Sequence, residues 1–221
     1  MKQSIGVAFN FKLKTDQDRQ VFYMFFSLLC NIGVLIVELI FGIMTQSIWL
    51  FANAGFHFVI GLARIISIRD YIKMRYEKNQ TKKQEIGYRN YITNGILLIL
   101  LGAIYFIISI YMMFQDTTND LLKGEIIVIS VAAMAFWCLG IAIFEIIKYK
   151  RMKDPIINAI KTTNNANALT MIVLTQTVLL AEYGTDVDNI ALFNGGTGMA
   201  MSLIIIYLGI YMVKGRKTLK G

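Results

Sequence analysis

The sequence predicts an all-α integral membrane protein with six transmembrane helices and both termini in the cytoplasm. Of its 221 residues, 56% are hydrophobic and a single one is proline, so long uninterrupted helices are expected. Apolar runs of about 20 residues, the length that crosses a hydrocarbon layer of about 30 Å, recur along the chain. The net charge of +8 is concentrated in every second connection between these runs. This distribution is typical of membrane topology and not of a nucleic-acid-binding surface.

Six apolar runs define the predicted spans. They cover about residues 21–44, 48–68, 91–114, 125–147, 165–183 and 192–213. All are far longer than the roughly 10 residues of a membrane β-strand, and the fifth is the weakest because it opens with TTNNANALT. We therefore divide the chain into a cytoplasmic N-terminal segment (1–20), a six-helix transmembrane domain (21–213) and a basic cytoplasmic tail (214–221). Segment 1–20 lacks a signal-peptide pattern, so the first span should act as the insertion signal.

The charges of the connections predict the orientation. Lysine and arginine are frequent before the first run, between the second and third, after the fourth and after the sixth. The other connections are nearly free of them: TQS has none, QDTTNDLLKG has only Lys123, and EYGTDVDN is acidic. Because basic connections stay on the cytoplasmic side, both termini are expected in the cytoplasm. The membrane itself is expected to be the plasma (cytoplasmic) membrane. We also expect the second helix to extend beyond the bilayer and Arg64 to reach the cytoplasmic interface.

Motifs of soluble enzymes are missing from the sequence. There is no phosphate loop, GxSxG or HExxH motif, and His57 is the only histidine, so we expect neither an enzyme nor a cofactor. Cys30 and Cys138 lie inside predicted spans without CxxC spacing, which argues against a disulfide framework or a cysteine zinc site. The glycine-rich FNGGTG at 193–198 opens a span, so close helix packing explains it better than nucleotide binding.

The second span contains SIWLFANAGFH, an apolar segment interrupted by an amide and an imidazole. Most of this segment belongs to a longer stretch, NIGVLIVELIFGIMTQSIWLFANAGF at 31–56, which also includes much of the preceding span. This stretch resembles the first helical hairpin of the cation diffusion facilitator family, zinc and manganese exporters that exchange metal for protons. The family pattern is N, then EL-x-x-G, then S-x-x-L-x-A-D-A-G-H-x-x-x-D. The matching residues are Asn31, Glu38, Leu39, Gly42, Ser47, Leu50, Ala52, Ala54 and Gly55.

A second similar stretch precedes the fifth span. DPIINAIKTTNNANALTM at 154–171 is similar to the family pattern S-P-x-L-x-A-x-x-x-H-x-x-x-D-A-L-T-S. Asn94 in YITNGILL resembles the asparagine of the family's third helix, and Asn194 stands where the sixth helix commonly has an aspartate. The resemblance covers about residues 20–213 and implies the family's transmembrane fold and a homodimer. The residues of the second stretch that match are Pro155, Ala159, Ala168, Leu169 and Thr170.

The family's metal ligands are replaced in this chain. Members hold zinc through four ligands, two each from helices two and five, spaced i and i+4 so that both face the ion. The four positions are held here by Phe56, Ile60, Thr163 and Asn167. The first pair offers no ligand atom and the second only neutral oxygens, which cannot balance a divalent charge in an apolar environment. Shifting the alignment by one residue puts His57 on a ligand position, but Gly61 then follows at i+4.

Asparagines take the places of the family's aspartates at three positions, Asn53, Asn167 and Asn194. They keep shape and hydrogen-bonding capacity without charge, so we expect an uncharged polar cavity in which Asn53 faces Asn167 near the middle of the membrane. Such a cavity could bind a neutral or zwitterionic solute, hold water, or tie helices together. We also expect proton coupling to be lost, because no carboxylate or histidine pair remains. The candidate cavity residues are Asn53, His57, Thr163, Asn167, Asn194 and Glu38.

The sequence supports two leading functional hypotheses. The first is a membrane transporter-like protein whose divalent-metal site is lost or remodelled, with a divalent cation or a neutral solute as cargo. The second is a non-transporting membrane regulator, receptor or partner subunit on the same scaffold. A substrate-binding subunit of an importer is a further alternative. A transporter should retain an accessible polar cavity, whereas a partner protein should have a closed, packed centre. Spans three and six, rich in small residues and methionine, are the expected dimer surfaces.

Overall fold

The computed structural model describes residues 16–46, 48–114, 125–148, 154–183 and 190–215, and these parts of the chain are helical apart from a short link at 77–79 and single residues at helix ends. The all-α class predicted from the sequence is therefore confirmed. Of the predicted terminal segments, residues 1–15 and 216–221 lie outside the described parts, as do the connections at 115–124 and 184–189. The helices are α1 (Asp16–Thr45), α2 (Ile48–Tyr76), α3 (Gln80–Met113), α4 (Glu125–Lys148), α5 (Pro155–Tyr183) and α6 (Ile190–Lys214).

Four of the described helices are long and apolar enough to cross a membrane. They are α1 over Val21–Met44, α2 over Leu50–Tyr76, α3 over Gln80–Met113 and α6 over Ile190–Lys214. In α4 the apolar stretch Ile129–Phe144 is shorter, and polar residues interrupt the first half of α5. By length and composition the chain is an integral membrane protein. The prediction that all six helices span the bilayer with cytoplasmic termini stays a prediction.

Several helices are longer than the apolar runs from which they were predicted. α1 begins at Asp16, inside the segment expected to precede it, and α2 continues to Tyr76, as expected for a helix that leaves the bilayer. Polar side chains cap α3 and α5, which also begin outside the apolar runs. The Asn79 side chain accepts hydrogen bonds from the first-turn backbone of α3, and Asp154 does the same for α5. Capping therefore extends helix into sequence that hydropathy assigns to connections.

Helices α3 and α6 form the closest helix pair, because glycines let their backbones touch. A methyl group placed on Gly209 of α6 would lie 2.7 Å from the carbonyl oxygen of Gly95 on α3. One placed on Gly195, within FNGGTG, would lie 2.7 Å from the carbonyl oxygen of Ser109. Helix packing as the role of FNGGTG is thus confirmed. The small-residue faces of α3 and α6, which were expected to join two copies of the chain, face each other within one chain. The homodimer stays a prediction.

Several helix ends meet at one end of the bundle, which we call the basic end. The Asp18 carboxylate accepts hydrogen bonds from Tyr71 (2.7 Å) and Arg75 (2.6 Å), which joins the start of α1 to the end of α2. The starts of α3 and α5 also approach each other, since Gly87 packs against Pro155. Exposed cations surround this end: Lys73, Arg75, Lys78, Lys82, Arg89 and Lys214.

An apolar cluster fills the centre where α2, α3, α5 and α6 meet. Large apolar side chains also cover the outside of α1, such as Phe22 and Phe26, which suits a surface in contact with lipid. At this centre α2 and α5 lie side by side, so the four expected ligand positions are buried in the bundle. The buried members of the cluster are Phe56, Ile60, Tyr91, Leu98, Leu101, Ala159, Ala166, Ile205 and Met212.

Candidate functional site

The two ligand positions of α2 are part of this apolar core. Phe56 and Ile60 are both 0% exposed and belong to the same cluster as Ala159 and Ala166 of α5. The Phe56 ring also meets Tyr105 of α3 edge to face, with the ring centres 6.1 Å apart. Positions that would carry metal-binding atoms in the resembling family therefore hold the helices together by packing.

The two ligand positions of α5 are occupied by local hydrogen bonds. The hydroxyl of Thr163 donates to the Ala159 carbonyl one turn earlier, over 2.9 Å. The Asn167 amide donates to the Cys138 thiol of α4 over 3.7 Å. Among the residues that the structure describes, no three histidine, cysteine, aspartate or glutamate side chains converge in a way that could hold a metal ion.

The asparagines of the expected cavity have different hydrogen-bond partners. Asn53 is 0% exposed, and its side-chain oxygen accepts from the Tyr105 hydroxyl over 3.4 Å, whereas Asn167 pairs with Cys138. Asn194 is buried beside Gly195, in the contact between α6 and α3. That these asparagines line one cavity stays a prediction.

A polar group between α1 and α2 is the most connected part of the candidate set. Asn31 of α1 donates its amide to the backbone carbonyl of His57 (2.6 Å), and its amide oxygen lies 2.8 Å from Nδ1 of the ring. Nε2 of the ring lies 3.5 Å from Oε1 of Glu38. All three side chains are buried, although they lie in spans. We call Asn31, Glu38 and His57 the polar group of α1 and α2.

The structure places one carboxyl group beside the single histidine, a pairing that the expectation of lost proton coupling did not consider. The loss of proton coupling itself stays a prediction. Glu38 and Asn31 are seven residues apart on α1, so they lie on one helix face and both reach His57. The signal was present in the sequence as two polar residues at helical spacing in the first span. Hydropathy and motif spacing do not show that this face of α1 meets His57, because the contact depends on how α1 packs against α2.

A narrow crevice lies between α1, α2 and α5, on the basic-end side of Thr163. It is too narrow to admit a water-sized sphere. Arg64 lines it and donates to the Ser27 carbonyl of α1 (3.0 Å) and to Asn164 of α5 (3.2 Å). The residue is only 4% exposed. The expectation that Arg64 extends to the interface is therefore wrong, because two carbonyl oxygens bind its guanidinium inside the bundle.

A second polar layer joins α2 to α3 nearer the basic end. The amide of Asn94 donates to the hydroxyl of Ser67 (3.2 Å), and Ser67 donates to Asn90 (3.3 Å). Asn90 in turn donates to the buried carboxylate of Asp70 (3.2 Å). Only Asn94 of this layer was singled out from the sequence. The others come together because the short link at 77–79 returns α3 along α2.

No protein-family model matches the chain, and no curated protein matches it. The resemblance to the cation diffusion facilitators therefore rests on the quoted residues alone.

Proposed function

We propose that the chain is a membrane transporter-like protein on a six-span scaffold, with a substituted metal site and a cargo other than a divalent cation. In this proposal both termini are cytoplasmic, which the exposed cations of the basic end support. The scaffold is the one that the resemblance to the cation diffusion facilitators implies. A neutral solute is the favoured cargo.

One observation carries the transporter part of the proposal: buried polar atoms at the centre have no hydrogen-bond partner among the described residues. They include the side-chain amide nitrogen of Asn53 on α2 and the side-chain amide oxygen of Asn167 on α5. In a hydrocarbon environment each unsatisfied polar group costs several kcal/mol. Packing alone would favour apolar residues here. We infer that these atoms bind water or solute in another state of the protein.

The residues around the centre support the choice of cargo. Phe56 and Ile60 fill the ligand positions of α2 with apolar packing. The crevice beside Thr163 carries the guanidinium of Arg64, whose positive charge repels a divalent cation in a low-dielectric surrounding. These residues are therefore most compatible with a solute that carries no positive charge.

Thiol labelling tests whether the centre becomes accessible. In a chain with Cys30 and Cys138 replaced by serine, Thr163→Cys places a thiol at the crevice, and Ala166→Cys places one in the apolar cluster on the same helix. A membrane-impermeant maleimide applied to proteoliposomes should label the first slowly and the second not at all. Equal protection of both would overturn the transporter proposal.

A second test concerns the cargo. Calorimetric titration with zinc, manganese and cadmium should give no saturable binding, and none of the three ions should move in proteoliposomes under a pH gradient. Saturable binding that is lost in His57→Ala would contradict the proposal and would favour a reduced cation site built on the shifted alignment.

The narrowness of the crevice favours a second candidate function. Because it leaves no room for a water-sized sphere, a non-transporting regulator, receptor or partner subunit would also suit this packed centre. This alternative predicts protection of Thr163→Cys under all conditions. The labelling experiment therefore separates the two functions directly.

A further inference from the structure

The hydrogen bonds of Asn31 determine which edge of the His57 ring carries a hydrogen. The amide nitrogen donates to the His57 backbone carbonyl, so the amide oxygen is the atom that faces Nδ1. An amide oxygen can only accept a hydrogen bond, and therefore Nδ1 must donate one. In the neutral ring the opposite nitrogen, Nε2, then holds a lone pair. Asn31 is thus a positioning residue for the imidazole.

The Nε2 edge faces a carboxyl group. Nε2 and Oε1 of Glu38 are 3.5 Å apart, and the two side chains are 2% and 7% exposed. If Glu38 were ionised and His57 neutral, two acceptors would face each other with no hydrogen between them. Such an arrangement is unfavourable where water cannot compensate. A single added proton removes the conflict, whether it is bonded to the ring or to the carboxyl group.

The surrounding ionisable groups argue against a second proton. Arg64 lies two turns beyond His57 on α2, Tyr105 lies on α3 near Glu38, and the Cys138 thiol lies on α4. The buried polar residues on the described parts of α5 and α6 are asparagine, serine and threonine, which do not titrate. Two protons on the pair would bury an imidazolium on the same helix as the permanent charge of Arg64, without a carboxylate to balance it.

We propose that Glu38 and His57 form an intramembrane proton-binding site, in which a single proton taken up from water is shared between the carboxyl group and Nε2. The proton bonds to a lone pair already present on Nε2 or on the carboxylate, and no other bond changes. The ligand of this site is a proton and not a metal ion. The inference does not rest on transport, because equilibrium proton binding is a property of the pair whether or not a solute crosses the membrane.

The single histidine makes the test specific to this site. Histidine labelled with ¹⁵N places the label only in His57. Solid-state NMR of the full chain in lipid vesicles then reports the hydrogen on each ring nitrogen as the pH is varied. Infrared spectra of the same samples report a protonated carboxyl group. We expect hydrogen on Nδ1 throughout, and one pH-dependent step in the Nε2 signal, the carboxyl band, or both.

Matched variants identify the partner in that step. Glu38→Gln should abolish it, whereas Glu85→Gln, the same change at an exposed site on α3, should leave it unchanged. If Glu38→Gln does not fold, Glu38→Asp retains the carboxyl group at a greater distance from the ring and should shift the step. Persistence of the wild-type step in a folded Glu38 variant would overturn the proposal.

Two further results would also overturn it. A bare Nδ1 in the wild-type spectrum would mean that the ring is not oriented by Asn31 as described. Saturable displacement of the histidine signals by zinc chloride would assign the pair to a metal ion instead of a proton. Failure of the thiol-labelling test would leave the proton site intact, so the two proposals fail separately.

Discussion

Two neighbouring residues of α2 face regions of opposite character. Phe56 enters the apolar cluster with Ala159 and Leu98, while His57 faces α1 and meets Asn31 and Glu38. The first region is held by shape and contains no acidic, basic or histidine side chain among its buried members. The second is held by hydrogen bonds whose number depends on a proton. The comparison teaches that one helix can anchor the bundle on one side and respond to its surroundings on the other.

Placing metal ligands in the apolar region should have the largest effect. The combined change Phe56→His, Ile60→Asp, Thr163→His and Asn167→Asp puts two i, i+4 pairs on adjoining helices. We expect saturable zinc binding with a Kd near 1 μM or below, about −8 kcal/mol, measured by calorimetry. The matched control carries only the two α5 changes and should bind far more weakly. A folded quadruple variant without zinc affinity would show that the alignment is wrong.

Emptying the apolar region should be the next largest effect. Phe56→Ala removes a ring that is 0% exposed, and we expect a loss of about 2–4 kcal/mol in the free energy of unfolding. This is somewhat below the value for a soluble core, because lipid is as apolar as the protein interior. Thermal unfolding in detergent measures it. Phe58→Ala, two residues away and 55% exposed, should change stability by less than about 0.5 kcal/mol. Similar losses for both would mean that Phe56 is not a core residue.

The backbone contact of α3 and α6 is a third region with no room for adjustment. Gly209→Ala puts a methyl group 2.7 Å from the Gly95 carbonyl oxygen, so we expect a loss of about 1–3 kcal/mol in unfolding free energy. Gly196→Ala on the same helix meets nothing within 4 Å and should be neutral or slightly stabilising. The difference between the thermal unfolding midpoints of the two variants checks the prediction. Equal midpoints would contradict the close approach.

The smallest effect is expected at the cap of α5, outside all of these regions. Asp154 accepts from the backbone nitrogens of Ile156 (2.9 Å) and Ile157 (3.1 Å), so Asp154→Ala should lower the free energy of unfolding by about 1 kcal/mol. Asp154→Asn keeps an accepting oxygen and should lose much less. Denaturant titration of both variants at neutral pH measures the difference.

The same residue gives a pH dependence. Burial raises the pKa of Asp154, although the backbone nitrogens of Ile157 and Ile156 and the Lys161 ammonium oppose this. The folded state therefore binds the proton more tightly than the unfolded state. This contribution to stability is complete below the unfolded pKa and is lost as the pH rises through the folded one. Asp154→Asn should remove this contribution from the dependence of the unfolding free energy on pH in the acidic range. An unchanged pH dependence in this variant would contradict the assignment.

The sequence predicted the helices well because the signals for them are local. The apolar runs marked α1, α2, α3 and α6, and the Asp-Pro pair at 154–155 is a readable start for α5. The boundaries were less accurate. Hydropathy reports where a helix leaves the hydrocarbon, whereas capping and polar contacts such as Asp18 with Arg75 decide where the helix ends.

The sequence identified individual candidate residues, but it did not predict which of them contact one another. The sequence alone determined the helical class, the membrane character, and the absence of metal-binding atoms from the side chains of Phe56 and Ile60. Only the tertiary structure decided that Asn31 and Glu38 meet His57, and that Arg64 turns inward to Asn164. The physical reason is that lipid and protein interior are equally apolar. Hydropathy therefore cannot say which face of a helix meets which neighbour, and only packing selects those partners.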